Sequence, residues 1–190
     1  ALLHLNRLRL AKNAIDDLGP LSGMVELSHL SFQGNSVSDL TPLTGLHQLV
    51  HLAAHGNQVT DVSPLRNLRS LMYLRLTDNQ ISNLEGLRGL ENLVELRVSN
   101  NEVSDLAALS TLIGLEVLEA GHNSIVDLAP LSKLQHLEVL QISGNEVSDL
   151  TPIMALEQLK VLEVWGNPLS AVAMNQQVPS LESKGIEVSW

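Results

Sequence analysis

Asparagine returns at Asn13, Asn35, Asn57, Asn79, Asn101, Asn123, Asn145 and Asn167, each 22 residues after the last, in a chain of 190 residues. A period of that length limits the chain to stacked units, because one unit of 22 residues cannot bury its own apolar face and only its neighbours can cover it. The leucines Leu5, Leu27, Leu49, Leu71, Leu93, Leu115, Leu137 and Leu159 keep the same spacing without exception. Around each asparagine the frame is x-L-x-x-L-x-L-x-x-N-x-[IV]-x-D-[LV]-x-P-L-x-x-L-x, seen cleanly from Gln48 to Arg69.

Each position of the frame has a physical reading. Pairs such as Leu74 and Leu76 have the period of two that turns alternate side chains of a strand to one face. Those leucines point inward, and the short strands of successive units pair in parallel. Asparagine at the strand exit bonds peptide groups left unpaired in the turn, so a column of asparagines predicts an internal polar ladder. Gly34, Gly56, Gly144 and Gly166 stand just before it, where the chain turns tightly. Thr41-Pro42, Ser63-Pro64 and Thr151-Pro152 read as an N-cap followed by proline, opening a short helix or 3₁₀ turn. The leucines of that element, Leu43 and Leu46 among them, are expected to face the strands. The frame is the leucine-rich repeat. It predicts an α/β solenoid, a horseshoe or arc with a parallel β-sheet on the concave face and short 3₁₀ or α turns on the convex face.

Residues 4–169 hold eight repeats. Ala1 to Leu3 match the last three positions of a preceding unit, which predicts a fragment of a longer chain whose first edge is covered by adjacent repeats or another subunit. From 170 to 190 the frame fails, and the segment reads as a C-terminal cap: a short helix, a stop at Gly185 and a final strand from Ile186 to Trp190. The D-[LV]-x-P-L segment, as in Asp39-Leu40-Thr41-Pro42-Leu43, resembles the short bacterial class found in internalins and related surface proteins. The ending Leu181-Glu182-Ser183-Lys184-Gly185-Ile186-Glu187-Val188 is similar to the closing segment of many bacterial members. The resemblance implies a protein-binding surface module at the cell surface or secreted, with a cytoplasmic location as the alternative. The same 22-residue length occurs in the nuclear regulator of type-one protein phosphatase, which would imply an enzyme-regulatory subunit; the recurrent proline fits the bacterial type better. A structural spacer and an engineered scaffold are the other readings that such regular repeats permit.

Composition narrows the function. Net charge is −10, and it is graded: through Arg97 eight bases meet nine acids, net −1, while from Val98 three bases meet twelve acids, net −9. A phosphate-tracking face needs clustered excess Lys and Arg, so no nucleic acid is expected as partner. Absence of cysteine removes disulfides, thiolate metal sites and cysteine nucleophiles. No apolar run approaches the roughly 20 residues that span a bilayer, so no membrane insertion is expected. Asp39, Asp61, Asp105, Asp127 and Asp149 sit in the turn toward the convex side, where a backbone-bonding duty is the expected one. No serine lies in a nucleophile motif and no glycine run precedes a helix as in a phosphate loop, so neither enzyme activity nor a cofactor is expected.

Function is therefore sought in the outward positions of the strands, which alternate with the buried leucines. The first outward row is Arg7, His29, His51, Tyr73, Glu95, Val117, Val139 and Val161. The second is Arg9, Ser31, Ala53, Arg75, Arg97, Glu119, Gln141 and Glu163, and the third contains His55 and ends on Trp165. Parallel strands lie about 4.8 Å apart, so each row is a nearly continuous stripe. The face is thus basic and histidine-bearing early, and valine-lined with acidic flanks late. Tyr73, Arg75, Arg97 and Trp165 are of the types enriched at binding hot spots. An exposed stripe of Val117, Val139 and Val161 would be an apolar patch. His29, His51 and His55 lack metal-site spacing and a nearby carboxylate, so no metal is expected; a pH-sensitive interface suits them better. Another protein, held on this face, is the expected partner.

Overall fold

The computed structural model describes residues 4–190; the Ala1–Leu3 remnant of a preceding repeat lies outside them. Among the described residues nine three-residue strands follow one another in chain order: β1 Arg7–Arg9, β2 His29–Ser31, β3 His51–Ala53, β4 Tyr73–Arg75, β5 Glu95–Arg97, β6 Val117–Glu119, β7 Val139–Gln141, β8 Val161–Glu163 and β9 Glu187–Ser189. All pair in parallel in one open sheet, β1 to β9 without a crossover. This is the leucine-rich repeat solenoid, with the sheet on its concave face. Equal loop lengths hold the register in step, so Leu8 pairs with Leu30, Leu30 with Leu52 and so on to Leu162. From Leu30 onward this column is buried.

The core is built of such columns. Phe32, Ala54 and Leu76 occupy one of them, all fully buried, and the small Ala54 leaves room for the ring beside it. Leu43, Leu46 and their equivalents in later repeats close the core from the return side.

The return turns are 3₁₀, as at Thr41–Leu43, Ser63–Leu65 and Thr151–Ile153. Their capping differs from the expected threonine or serine N-cap. The turn starts one residue earlier in its hydrogen bonding, so the cap positions are Leu40, Val62 and Leu150, with no side-chain cap bond. Thr41, Ser63 and Thr151 are already inside the turn. Their amides are satisfied by the acid two residues back: Asp39 Oδ1 accepts from Thr41 N–H at 2.7 Å, and Asp61 and Asp149 do the same for Ser63 and Thr151. Asp105 and Asp127 repeat the bond at Ala107 and Ala129, which gives these aspartates the structural duty expected of them. Asp17 and Asn83 perform it too.

The asparagine ladder joins each repeat to the one before. Asn57 Nδ2–H donates to the Ala54 carbonyl of its own repeat at 3.0 Å and to the Phe32 carbonyl of the preceding repeat at 3.2 Å, while its Oδ1 accepts the preceding repeat's Val37 N–H at 3.0 Å. Asn35, Asn79, Asn101, Asn123, Asn145 and Asn167 make the same three bonds. The residue before each asparagine is left-handed in every repeat. Gly34, Gly56, Gly144 and Gly166 take that conformation freely, and Lys12, Asp78, Asn100 and His122 adopt it at φ 54–56°.

After Asn167 the chain passes through a π-helical turn, Ala173–Gln177, into helix α1, Val178–Ser183, and Gly185 at φ 84° releases it into β9. Gln177 bonds Asp149, Leu150 and Thr151, reaching back onto the last return turn much as a further repeat would. The closing strand is Glu187–Ser189, one residue shorter at each end than expected. Among the described residues no helix is long and apolar enough to cross a membrane.

Candidate binding face

The strand pairing places the outward rows side by side in register. Arg7, His29, His51, Tyr73, Glu95, Val117, Val139 and Val161 are successive partners, as are Arg9, Ser31, Ala53, Arg75, Arg97, Glu119, Gln141 and Glu163. Three-residue strands make this possible, because each offers one buried leucine flanked by two outward positions. His55 and Trp165 lie just beyond their strands, in the third row.

The early half forms a trough. Along one side the rings of His29, His51 and Tyr73 stack, centroids 4.3 Å apart at both steps and nearly parallel at the second, with an interplanar angle of 3°. The strand spacing dictates this, since rings on adjacent strands of one row meet at stacking distance. Ser31 and Ala53 form a low floor, Arg9 and Arg75 stand at the ends of that floor, and Gln33 lines the other side. The recess measures about 320 Å³. Gln33 Oε1 is buried and has no hydrogen-bond partner among the described residues. Arg7 and Arg9 make no ion pair among the described residues.

Burial, and then charge, lowers the pKa of each histidine. Burial lowers the His29 pKa below 6.5, and Arg7 and Arg9 push the same way. His51 is lowered by burial, then by His29, Arg7 and Arg75, against an opposing Glu95. His55 is lowered by burial and Arg75, with Asp78 opposing. Two carboxylates therefore do act on this group, which the sequence order concealed. Ser28 Oγ lies 2.7 Å from both Asn6 Oδ1 and His29 Nδ1. Its single proton goes to the asparagine oxygen, so His29 Nδ1–H donates to Ser28 and leaves Nε2 free to accept a proton. Among the described residues no three His, Asp or Glu side chains converge as metal ligands do.

At the middle of the face a chain of ion pairs runs across three strands. Glu95 accepts from Arg75 Nε at 2.8 Å and from Arg97 Nε at 2.7 Å, and Arg97 Nη1 reaches Glu119 at 2.9 Å. Arg75 and Arg97, singled out as hot-spot residue types, are thus tied to carboxylates of the same surface. The Glu119 pKa is nonetheless raised: burial leads, Glu95 and Glu163 add to it, and the attraction of Arg97 and Arg75 does not overcome them.

In the late half Val117, Val139 and Val161 are half-buried, so the stripe is less exposed than alternation alone suggested. In the second row beside them Gln141 donates to Glu163 at 2.9 Å. Trp165 keeps 47% of its surface exposed and meets His122 edge-on at 5.5 Å.

Three participants were not among the candidate site residues. Glu95 is already in the first outward row, but its place between Arg75 and Arg97 shows only when the two rows are compared. Gln33 sits in the third row beside Ser31. His122, under Trp165, is in the left-handed position normally held by glycine, and that departure was its signal.

A model of leucine-rich repeats in two copies matches residues 69–112 and 113–153. No curated protein matches the chain by sequence. Among solved structures, the chain is similar to an internalin (inlF) of Listeria monocytogenes, at 28% identity and a TM-score of 0.88, over 99% of this chain and 61% of that one. It is similar to internalin C2 of the same organism at 28% identity and a TM-score of 0.90, over 97% of this chain and 80% of the other. A leucine-rich repeat protein of Leptospira interrogans aligns at 26% identity and a TM-score of 0.91, over 98% of this chain and 49% of its own. The chain thus spans less than two thirds of the first and third of these proteins. Its fold is the leucine-rich repeat solenoid, and the chain is similar to the bacterial internalins.

Proposed function

We propose that the chain is a non-enzymatic protein-binding module that holds a polypeptide partner on the concave face of its sheet. Leucine-rich repeats are commonly protein-binding modules, and extended concave surfaces are how solenoids do this. The observation that carries the reading is the content of the outward rows. The fold requires only short outward side chains there, yet they hold arginines, three stacked rings and a half-exposed tryptophan. Arg7, Arg9, His29, His51, His55, Tyr73, Arg75 and Arg97 form the basic end of the face. Val117, Glu119, Val139, Val161, Glu163 and Trp165 form the apolar and acidic end. A partner acidic at one end and apolar or basic at the other is oriented by this gradient, through encounter rate and register. Residues 4–169 supply the face, and 170–190 close the stack.

The test is capture of a partner from cell extract followed by kinetics on variants. Arg9→Glu slows association and Trp165→Ala raises the dissociation rate about tenfold, the loss of one hot-spot side chain. Lys133→Glu, on the return side, changes neither. Binding that is lost in Lys133→Glu and kept in both sheet variants refutes the assignment of the concave face.

A further inference from the structure

Resting on the concave-face reading, we infer that the trough between Arg9 and Arg75 is a subsite for an extended acidic peptide, taking two carboxylates four residues apart and binding a proton with them.

The spacing follows from the sheet. Arg9 and Arg75 are second-row residues three strands apart, which at about 4.8 Å per strand separates them by about 14 Å. An extended chain laid across the strands rises about 3.4 Å per residue and turns alternate side chains to one side. Residues i and i+4 then face the sheet about 14 Å apart, and residue i+2 falls between them. The floor suits that pattern: Ser31 and Ala53 leave room for a small central side chain, and arginines flank it. Arg7 and Arg9 carry positive charge with no acid paired to them among the described residues, so an incoming carboxylate displaces no ion pair at that end.

Protonation is coupled through the ring stack. The charged groups facing it are Arg7 and Arg9 of β1, Arg75 and Asp78 of and after β4, and Glu95 of β5, with His29, His51 and His55 titrating among them. In the free protein burial, together with this positive charge, lowers the pKa of each histidine. A bound carboxylate favours the charged ring, and His29, whose Nδ1 is held by Ser28, then takes its proton on Nε2. Binding therefore takes up protons, and affinity rises as pH falls through the histidine range, as long as the peptide carboxylates stay ionised.

The probe is a fluorescein-labelled nonapeptide, Gly-Ser-Glu-Val-Ser-Val-Glu-Ser-Gly, read by anisotropy against the whole chain, beside its Gln-for-Glu counterpart. The glutamate peptide binds at least about tenfold more tightly than the glutamine one, equivalent to one lost charge-assisted contact. Its affinity rises at least about threefold from pH 7.5 to 5.5. Arg9→Gln weakens it, and the double variant His29→Gln/His51→Gln retains binding but loses the pH dependence. Arg9 is exposed and His29 and His51 lie half-buried on the outward face, and circular dichroism verifies that the variants keep the fold. Equal binding of both peptides, equal displacement by a thymidine decanucleotide, or an affinity indifferent to pH overturns the proposal. If the captured partner still depends on Trp165 while the acidic peptide fails to bind, the subsite falls and the concave-face reading stands. If the partner ignores Trp165 and Arg9 as well, both fall.

Discussion

Replacing Asn57 with alanine removes one rung of the ladder, and the structure sets the size of the effect. Asn57 is 8% exposed. Its Oδ1 holds the buried Val37 amide, for which no other acceptor exists among the described residues. An orphaned buried donor costs about 1–3 kcal/mol. The carbonyls of Phe32 and Ala54 each keep a second donor, from Asn35 and Asn79, so their loss is at the small end, about 0.5 kcal/mol apiece. The expected destabilisation is about 2–4 kcal/mol. Asn13→Ala is the internal control. Its side chain is exposed and bonds only the Leu10 and Ala11 carbonyls, so its removal orphans no buried donor and costs under about 1 kcal/mol. Urea unfolding followed by circular dichroism compares the two variants. Native-state hydrogen exchange gives the local readout, with the Val37 amide exchanging at least about 30-fold faster in Asn57→Ala. Equal midpoints for the two variants, or an unchanged Val37 rate, refute the claim that the rung acts by satisfying the neighbouring repeat's backbone.

Two further outcomes follow from the same geometry. The His29, His51 and His55 pKa values are depressed by burial first, so the stability they contribute is complete above pH 6.5 and is lost as pH falls through their folded values. The urea midpoint should decline between pH 7 and 5 and flatten in His29→Gln/His51→Gln/His55→Gln; an identical slope in the variant would show that other groups govern it. Gly86→Ala places a methyl against the Val62 carbonyl and 2.6 Å from the Ser63 nitrogen, an overpacking cost of about 1–3 kcal/mol, whereas the same frame position one repeat later is occupied by the buried Ala108. Thermal unfolding of Gly86→Ala alongside Ala108→Gly checks it, and a stable Gly86→Ala would mean that the backbone there is free to shift.

The fold was legible because periodicity is a one-dimensional signal. Leucine at fixed spacing yields the columns, the parallel register and the outward rows, and asparagine at the strand exit yields the ladder. What stayed hidden depends on side-chain reach. Arg75 and Arg97 read as free charges along the chain, but Glu95 is a cross-strand neighbour of the first and a same-strand neighbour of the second, and it ties both down. Threonine before proline reads as a cap, while the acid two residues earlier has the shorter path to the amide. Glycine marks the left-handed position by its own tolerance, so the same conformation at Lys12, Asp78, Asn100 and His122 shows only once frame positions are compared. The ring stack needed both views: the row predicts that His29, His51 and Tyr73 are neighbours, and only the structure shows that their planes align.

The ladder also has a direction. From Asn35 onward each ladder asparagine lends its oxygen to the amide of the repeat behind it, Asn35 to Ile15, Asn57 to Val37, and onward to Asn167 and Val147. During synthesis a repeat therefore leaves the ribosome with its turn unfinished and is completed only when the next 22 residues emerge. A chain halted at any point carries one open turn at its growing end, and translation proceeds by closing each in succession.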